Sequence, residues 1–261
     1  MEAPDLKAVD AIINADDLGI SLEVNEAIFA LMDEGLVTSA TVIANAPHVE
    51  EACEQIGRHS QCSFGVHLNL TEFRPITGPR KLESLLDDRG AFVKERIRQV
   101  SLGSRVADGI YEELCAQIER LQSLGVEVGH IDSHHHVHTI PAVFRILKKV
   151  RKRFQIGKVR LTRNIYGLHE DTPRFLRGKK SIYNFLLRHY LPATTTQGFT
   201  DFKTFHECAT ANRIKHRTIE LMVHPGYSND EYYKNEIQLL RGPWRQMLDY
   251  SVRLVSYADL R

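Results

Sequence analysis

Short apolar runs alternate along this chain with longer stretches of helical periodicity, and that alternation limits the fold more than any other feature. Strands buried on both faces read as nearly continuous apolar runs, and the helices between them must then wrap a parallel sheet. AVDAIINA (8–15) reads as the first buried strand. Ser21 follows as a helix N-cap, with Glu23 and Glu26 near the positive end of the helix, Leu22, Ala27, Ile28 and Leu31 at helical spacing, and Gly35 as its stop. TSATVIAN (38–45) is predicted as the second strand and a helix as occupying 48–58. SFGVHLNL (63–70) is predicted as the third strand, its alternating Phe64, Val66, Leu68 and Leu70 placing His67 on the opposite face. A helix over 107–124 ends at Gly125, VEVGHIDSHHH forms a strand, and Pro141 opens the helix AVFRILKKVRKRF. VRLTR (159–163) and TIELMVHPGY (218–227) are the last predicted strands.

A length of 261 residues suits one large α/β domain, so residues 1–261 are expected to form a single domain. FRPITGPRKLESLLDDRGAF (73–92) is too rich in Pro, Gly and charge for a plain connection; 73–106 and 164–215 are expected to be substrate loops. With 34 basic against 33 acidic side chains, a formal charge of +1 offers no global field for a polyanion, and nucleic acid is not an expected partner. The basic run KKVRKRF (148–154) reads as a solvated helix face. Cys53, Cys62, Cys115 and Cys208 form no C-x-x-C pair, which argues against a zinc finger or a disulfide framework and for a reducing cytoplasm. MEAPDLKAVDAIINADD lacks the basic start and apolar core of a signal peptide, and no run approaches the ~20 apolar residues of a membrane span. A homo-oligomer stays open.

Polar, metal-capable residues follow the apolar runs directly at NADD (14–17), at His67 in GVHLNLT and at DSHHHVH (132–138); VHPGY (223–227) has the same form and adds His224 and Tyr227. In parallel α/β folds the C-terminal strand ends converge on one face, so these motifs can build one site. One Asp with two His is a ligand set for zinc, iron, manganese or cobalt that leaves positions open for water and substrate. Adjacent aspartates can divide the labour, one binding metal and one taking a proton from water. Taken alone, NADD also fits an Asx turn, and His67 a hydrogen-bonded core histidine. Five histidines within 130–138 are harder to satisfy without a metal or catalytic duty. If the strand continues, Asp132, His134, His136 and His138 share one face with His130 while His135 points away, and the parity weakens where the chain turns before Pro141. Trp244, Tyr232 and Tyr233 fit sugar platforms and packing residues equally.

NADDLGIS, FGVHLNLTEFRPITG and HIDSHHHVH, in this order and spacing over residues 8 to 145, resemble the YdjC-like carbohydrate deacetylase family, with VHPGY as a fourth match. The resemblance implies a distorted (β/α) TIM-like barrel, one divalent metal ion and removal of N-acetyl from an amino sugar. It implies Asp17, His67 and His134 as metal ligands, Asp16 as general base and His224 as the acid that protonates the leaving amine. Asp132, His136, His138 and Tyr227 are the candidates for orienting a ligand or touching substrate. The implied donor set takes zinc, cobalt, manganese or nickel more readily than magnesium. The same ligands could serve a hydrolase of a phosphoester or cyclic amide, an iron(II) oxygenase, or a binding protein without turnover. The β/α alternation counts against the oxygenase and the Asp16–Asp17 pair against the pure binder.

Overall fold

β1 (Val9–Leu18) lies at the centre of a sheet whose strands are all parallel, in the computed structural model, which describes residues 8–99 and 103–261. The other strands are β2 (Ser39–Val42), β3 (Ser63–Leu68), β4 (His130–Ser133), β5 (Lys158–Val159), β6 (Gly198–Asp201), β7 (Thr218–Val223) and β8 (Val252–Leu254). Their order is β5-β4-β3-β2-β1-β7-β6, with β8 pairing the start of β1. The sheet curls until its ends meet: Val159 N donates to Thr194 O at 3.1 Å and Asn164 N to Phe199 O at 3.2 Å. Among the described residues isolated bonds such as these, and no strand ladder between β5 and β6, join the two ends, so the ring closes irregularly, as a distorted (β/α) barrel does.

The helices wrap this ring. α1 (Leu22–Asp33) begins at Ser21, whose side chain accepts from Val24 N, and gives way to Gly35 in the left-handed region at φ 66°. α2 (Val49–Ile56), α3 (Arg96–Gln99), α4 (Ser104–Ser123), α5 (Pro141–Phe154), α6 (Arg174–His189), α7 (Phe202–Thr210) and α8 (Glu231–Arg241) follow. The expected loop 164–215 therefore holds α6, β6 and α7. The segment 73–99 is irregular but anchored, because Leu82, Leu85, Leu86 and Phe92 are buried beneath it and Glu113 of α4 accepts from Ile76 N and Thr77 N; residues 100–102 of the expected loop lie outside the described residues. Among the described residues, no helix is long and apolar enough to cross a membrane. Trp244 is buried edge-on against Phe202 and Phe205 and is a packing residue.

Strand alternation sorts the side chains into two populations. Ala11, Ile13, Ala15, Val42, Val66, Ile131 and Leu221 belong to the apolar core shared with the helices. The opposite parity carries Asn14, Asp16, Thr41, His67, Asp132, Arg160 and Glu220, all buried. Apolar burial, worth roughly 1.5–3 kcal/mol per large aliphatic side chain, thus drives the strand–helix contact. The barrel interior is instead a hydrogen-bonded polar network, in which every unpaired group would be expensive. Packing inside is close: a Cβ on Gly65 would meet the His130 ring at 2.5 Å, and that ring stacks on Tyr257 with centroids 3.7 Å apart.

Candidate metal and catalytic centre

At the C-terminal rim the polar interior opens into a cavity of about 500 Å³, reached by side chains from β1, β3, the turn after β4 and the loop after β7. Adjacent strand residues ordinarily face opposite ways, yet Asp16 and Asp17 both reach this cavity. Asp17 has left-handed backbone, φ 69°, a conformation that costs Asp less than most residues. β4 ends at Ser133, and the strand predicted through the histidines stops there; His135 (φ 50°) and His136 (φ 55°) are left-handed in succession. The expected single face for Asp132, His134, His136 and His138 is thereby corrected. His134, His135 and His136 all turn into the cavity, while His138 is buried away from its wall with its backbone N donating to Ser133 Oγ at 2.9 Å.

Asp17 Oδ1 lies 2.8 Å from His134 Nδ1 and 3.3 Å from His67 Nε2. Despite these distances it makes no hydrogen bond of acceptable geometry. Both facts fit lone pairs aimed at a common centre instead of at one another. Two donors each about 2.0–2.1 Å from one divalent ion stand about 2.9 Å apart at a right angle and about 3.4 Å apart at the tetrahedral angle. The observed edges match that spacing, so Asp17, His67 and His134 could hold a metal ion. Tyr227 donates its hydroxyl to the other Asp17 oxygen, Oδ2, at 2.7 Å. The rear of His67 is fixed by Asp132, whose Oδ1 is 2.6 Å from Nδ1, and Thr41 Oγ1 donates to Asp132 Oδ2 at 3.0 Å. Such a carboxylate behind an imidazole sets its tautomer and orientation.

The electrostatics favour a cation. Burial opposes charge on His67, but Asp132 and Asp16 outweigh it and push the imidazole up to about 10. His134 is raised in the same way by Asp17 and Glu72 against its burial. Neighbouring carboxylates that favour the charged imidazole against its burial mark a negative potential, which also favours a divalent ion at those lone pairs.

Asp16 is held from behind by Arg160, which donates from Nη1 to Oδ2 at 2.7 Å and from Nη2 to Oδ1 at 2.6 Å. Asn14 Nδ2 adds a third bond, to Oδ1, at 2.9 Å. Burial alone would raise this carboxyl; Arg160 and His67 outweigh burial and hold it well below the usual carboxylate range. Oδ1 accepts two bonds and Oδ2 one, so Oδ2, 3.9 Å from His67 Nε2, keeps acceptor capacity on the metal-ligand side. Arg160 also reaches Asp132 Oδ2 at 2.6 Å and donates from Nε to Glu220 Oε1 at 2.7 Å. Burial pushes Glu220 up to about 7 although Arg160 and the Tyr257 hydroxyl both favour its charged form.

His224 stands on the cavity wall with Tyr233 stacked obliquely at 4.7 Å, and its backbone N donates to the buried Glu236 at 3.1 Å. His136 also lines the cavity, where burial and then Arg160 push its imidazole down to about 3. The structure thus brings Asp16, Asp17, His67, His134, His136, His224 and Tyr227 to one cavity, places Asp132 directly behind His67, and leaves His138 outside.

Arg160, Glu220 and Thr41 lie outside the motifs singled out from sequence, and Asn14 in NADD and Glu72 in FGVHLNLTEFRPITG lie inside them without an assigned role. Two of them carried a signal: Arg160 in VRLTR and Glu220 in TIELMV are charged residues inside apolar strand runs, a placement that requires buried partners of opposite charge.

The profile of the family described as YdjC-like protein matches residues 10–250. A carbohydrate deacetylase of Brevibacillus brevis is 30% identical over 95% of this chain and 98% of its own. A carbohydrate deacetylase of Geobacillus stearothermophilus is 41% identical over 56% of this chain, and the match spans only 57% of that protein. Among solved structures, one from Enterococcus faecalis with the provisional name cellobiose-phosphate cleavage protein superposes with TM-score 0.75 over 96% of this chain and 98% of its own, at 23% identity, which speaks for the fold. From the match over nearly its whole length, the chain belongs to the YdjC-like protein family.

Proposed function

We propose that the protein is a metal-dependent carbohydrate deacetylase that removes N-acetyl from an amino sugar or a short N-acetylated oligosaccharide, giving acetate and a free amine. The observation that carries this reading is the convergence of Asp17, His67 and His134 beside an aspartate held by Arg160. Relatives named carbohydrate deacetylase support it. When bound to the three ligands, a divalent ion supplies Lewis acidity toward a carbonyl oxygen and lowers the pKa of water. Zinc, cobalt, manganese or nickel suits this donor set better than magnesium.

The chain's own residues supply the rest. Asp132 and Thr41 hold the His67 ring in place, and Tyr227 holds Asp17. Asp16 Oδ2 takes the proton of the attacking water as its oxygen bonds to the acetyl carbon. Arg160 keeps Asp16 ionised and aimed, at some loss of basicity. His224 protonates the amine nitrogen as the C–N bond breaks, which turns a poor leaving group into a neutral amine. Glu72 at the rim, with Oε2 3.6 Å from His134 Nε2, and Tyr233 beside His224 flank the space for the sugar. A volume of about 500 Å³ is within the usual range of small-molecule sites.

The test is acetate release by metal-stripped protein, resupplied with each of these ions, from a panel running from N-acetylglucosamine to short chitooligosaccharides and nucleotide-linked sugars. Release that depends on added ion supports the reading. Silence across the panel while calorimetry shows the ion bound would overturn the N-acetyl assignment and turn attention to a phosphoester or cyclic amide.

A further inference from the structure

α5 and α6 stand side by side on the outside of the barrel: Phe144 packs on Tyr183 with ring centroids 4.9 Å apart, and Lys148 Nζ sits 3.6 Å over the Tyr190 ring. α6 has two apolar faces. Tyr183 and Leu187 point inward and are buried. On the outer side, Phe175, Ile182 and Phe185 are 63%, 62% and 60% exposed, with Leu186 beside them. At 3.6 residues per turn these four form one stripe along the helix. A barrel helix needs only its inner face apolar, so among the described residues the outer stripe is surplus to the fold.

Its surroundings carry charge of one sign. α5 and α6 hold eleven of the chain's 34 basic side chains and none of its 33 acidic ones, although the whole chain is nearly neutral. Arg153 is spent on Glu119 and Arg151 on backbone carbonyls. Arg145, Lys149, Lys152, Arg174 and Lys179 are exposed, and among the described residues none of them is in an ion pair.

We infer that this face docks on an anionic lipid bilayer. Aromatic and aliphatic side chains of an amphipathic helix insert at the headgroup boundary, while flanking Lys and Arg meet lipid phosphates. The charge pattern disfavours a second copy, since a two-fold contact through this face would set cations against cations. The contact is peripheral, because among the described residues no helix can span a bilayer. KKVRKRF is then half of a docking surface and more than a solvated helix face.

The experiment is cosedimentation of the full chain with vesicles of equimolar phosphatidylglycerol and phosphatidylcholine, compared with phosphatidylcholine alone. Binding to the anionic vesicles is expected, at least about tenfold weaker on the neutral ones and weakened by salt. The doubles Ile182→Ser/Phe185→Ser and Lys149→Glu/Lys179→Glu alter exposed positions only; each should weaken binding about tenfold and leave hydrolysis of a soluble substrate unchanged. Absence of binding to anionic vesicles overturns the inference. So does binding that the apolar double leaves intact, which would mark a simple polyanion surface. A dimer in light scattering that this double converts to monomer would assign the face to a second copy and overturn it as well.

Discussion

Replacing Asp16 with Asn separates the two aspartates of NADD. The amide is nearly isosteric with the carboxylate, but it cannot accept a proton at neutral pH, and it turns one of two acceptor oxygens into a donor. Arg160 presents two N–H groups to Asp16, at 2.6 and 2.7 Å, and Asn14 a third at 2.9 Å. One amide oxygen cannot satisfy all three, so at least one buried donor is left without a partner, at about 1–3 kcal/mol. Arg160 keeps Asp132 and Glu220, so the fold should survive with a lower melting temperature. Asp17, His67 and His134 are untouched, and metal affinity should change less than about threefold, under about 1 kcal/mol. Removing a general base typically costs a factor of about 10²–10⁴, or roughly 3–5 kcal/mol of barrier. The assay is kcat for acetate release at saturating ion, alongside calorimetric ion binding and thermal melting. A kcat within about threefold of the unaltered protein, with the ion bound, would refute the base assignment. Loss of ion binding in step with activity would instead make Asp16 a ligand.

Three further expectations follow from the same geometry. Arg160→Gln leaves Asp16, Asp132 and Glu220 buried without their counter-charge and should cost about 3–5 kcal/mol in urea unfolding; because Arg160 holds the folded pKa of Asp16 below its unfolded value, that part of the loss is full above about pH 5 and fades as pH falls through 3.8 and below, so an equal loss at about pH 7.5 and pH 3 would contradict it. Asp132→Asn replaces the carboxylate behind His67 and should weaken ion affinity about 10–100-fold by calorimetry, and unchanged affinity would show that Thr41 and packing suffice to orient the ring. Gly226→Ala puts a Cβ 2.5 Å from Val24 Cα at a residue with φ 88°, and should lower stability by at least about 1–3 kcal/mol and disturb His224 and Tyr227 on either side; a melting temperature equal to the parent's would show that the VHPGY turn yields.

The elements legible from sequence were those whose signal is local. Ser21 with its helix and Gly35, Gly125 after α4, and Pro141 at the head of α5 all stand where capping chemistry put them. Strand ends were less legible: VRLTR yields only the two-residue β5, and the helix–strand–helix run within 164–215 was unresolved because its basic, doubly apolar α6 departs from the one-sided pattern that marks a barrel helix. The alternation of His67 against Val66 and Leu68 was correct, but its meaning changes with the fold, since both faces are buried and the polar face is the barrel interior.

By itself the sequence determined which chemical groups are available and that they follow strands in β/α order, because hydrophobic period and capping act over a few residues. The resemblance of its motifs to a known family supplied their provisional roles. Only the tertiary structure decided which of those groups meet. The left-handed residues Asp17, His135 and His136 break the parity that sequence spacing assumes, bringing Asp17 and His134 to 2.8 Å across 117 positions and leaving His138 outside. Arg160 and Glu220 became part of the site for the same reason. A buried charge is stable only beside its counter-charge, and here Arg160 follows β5 while its partners Asp16, Asp132 and Glu220 lie on β1, β4 and β7, so their pairing exists only once the barrel has closed.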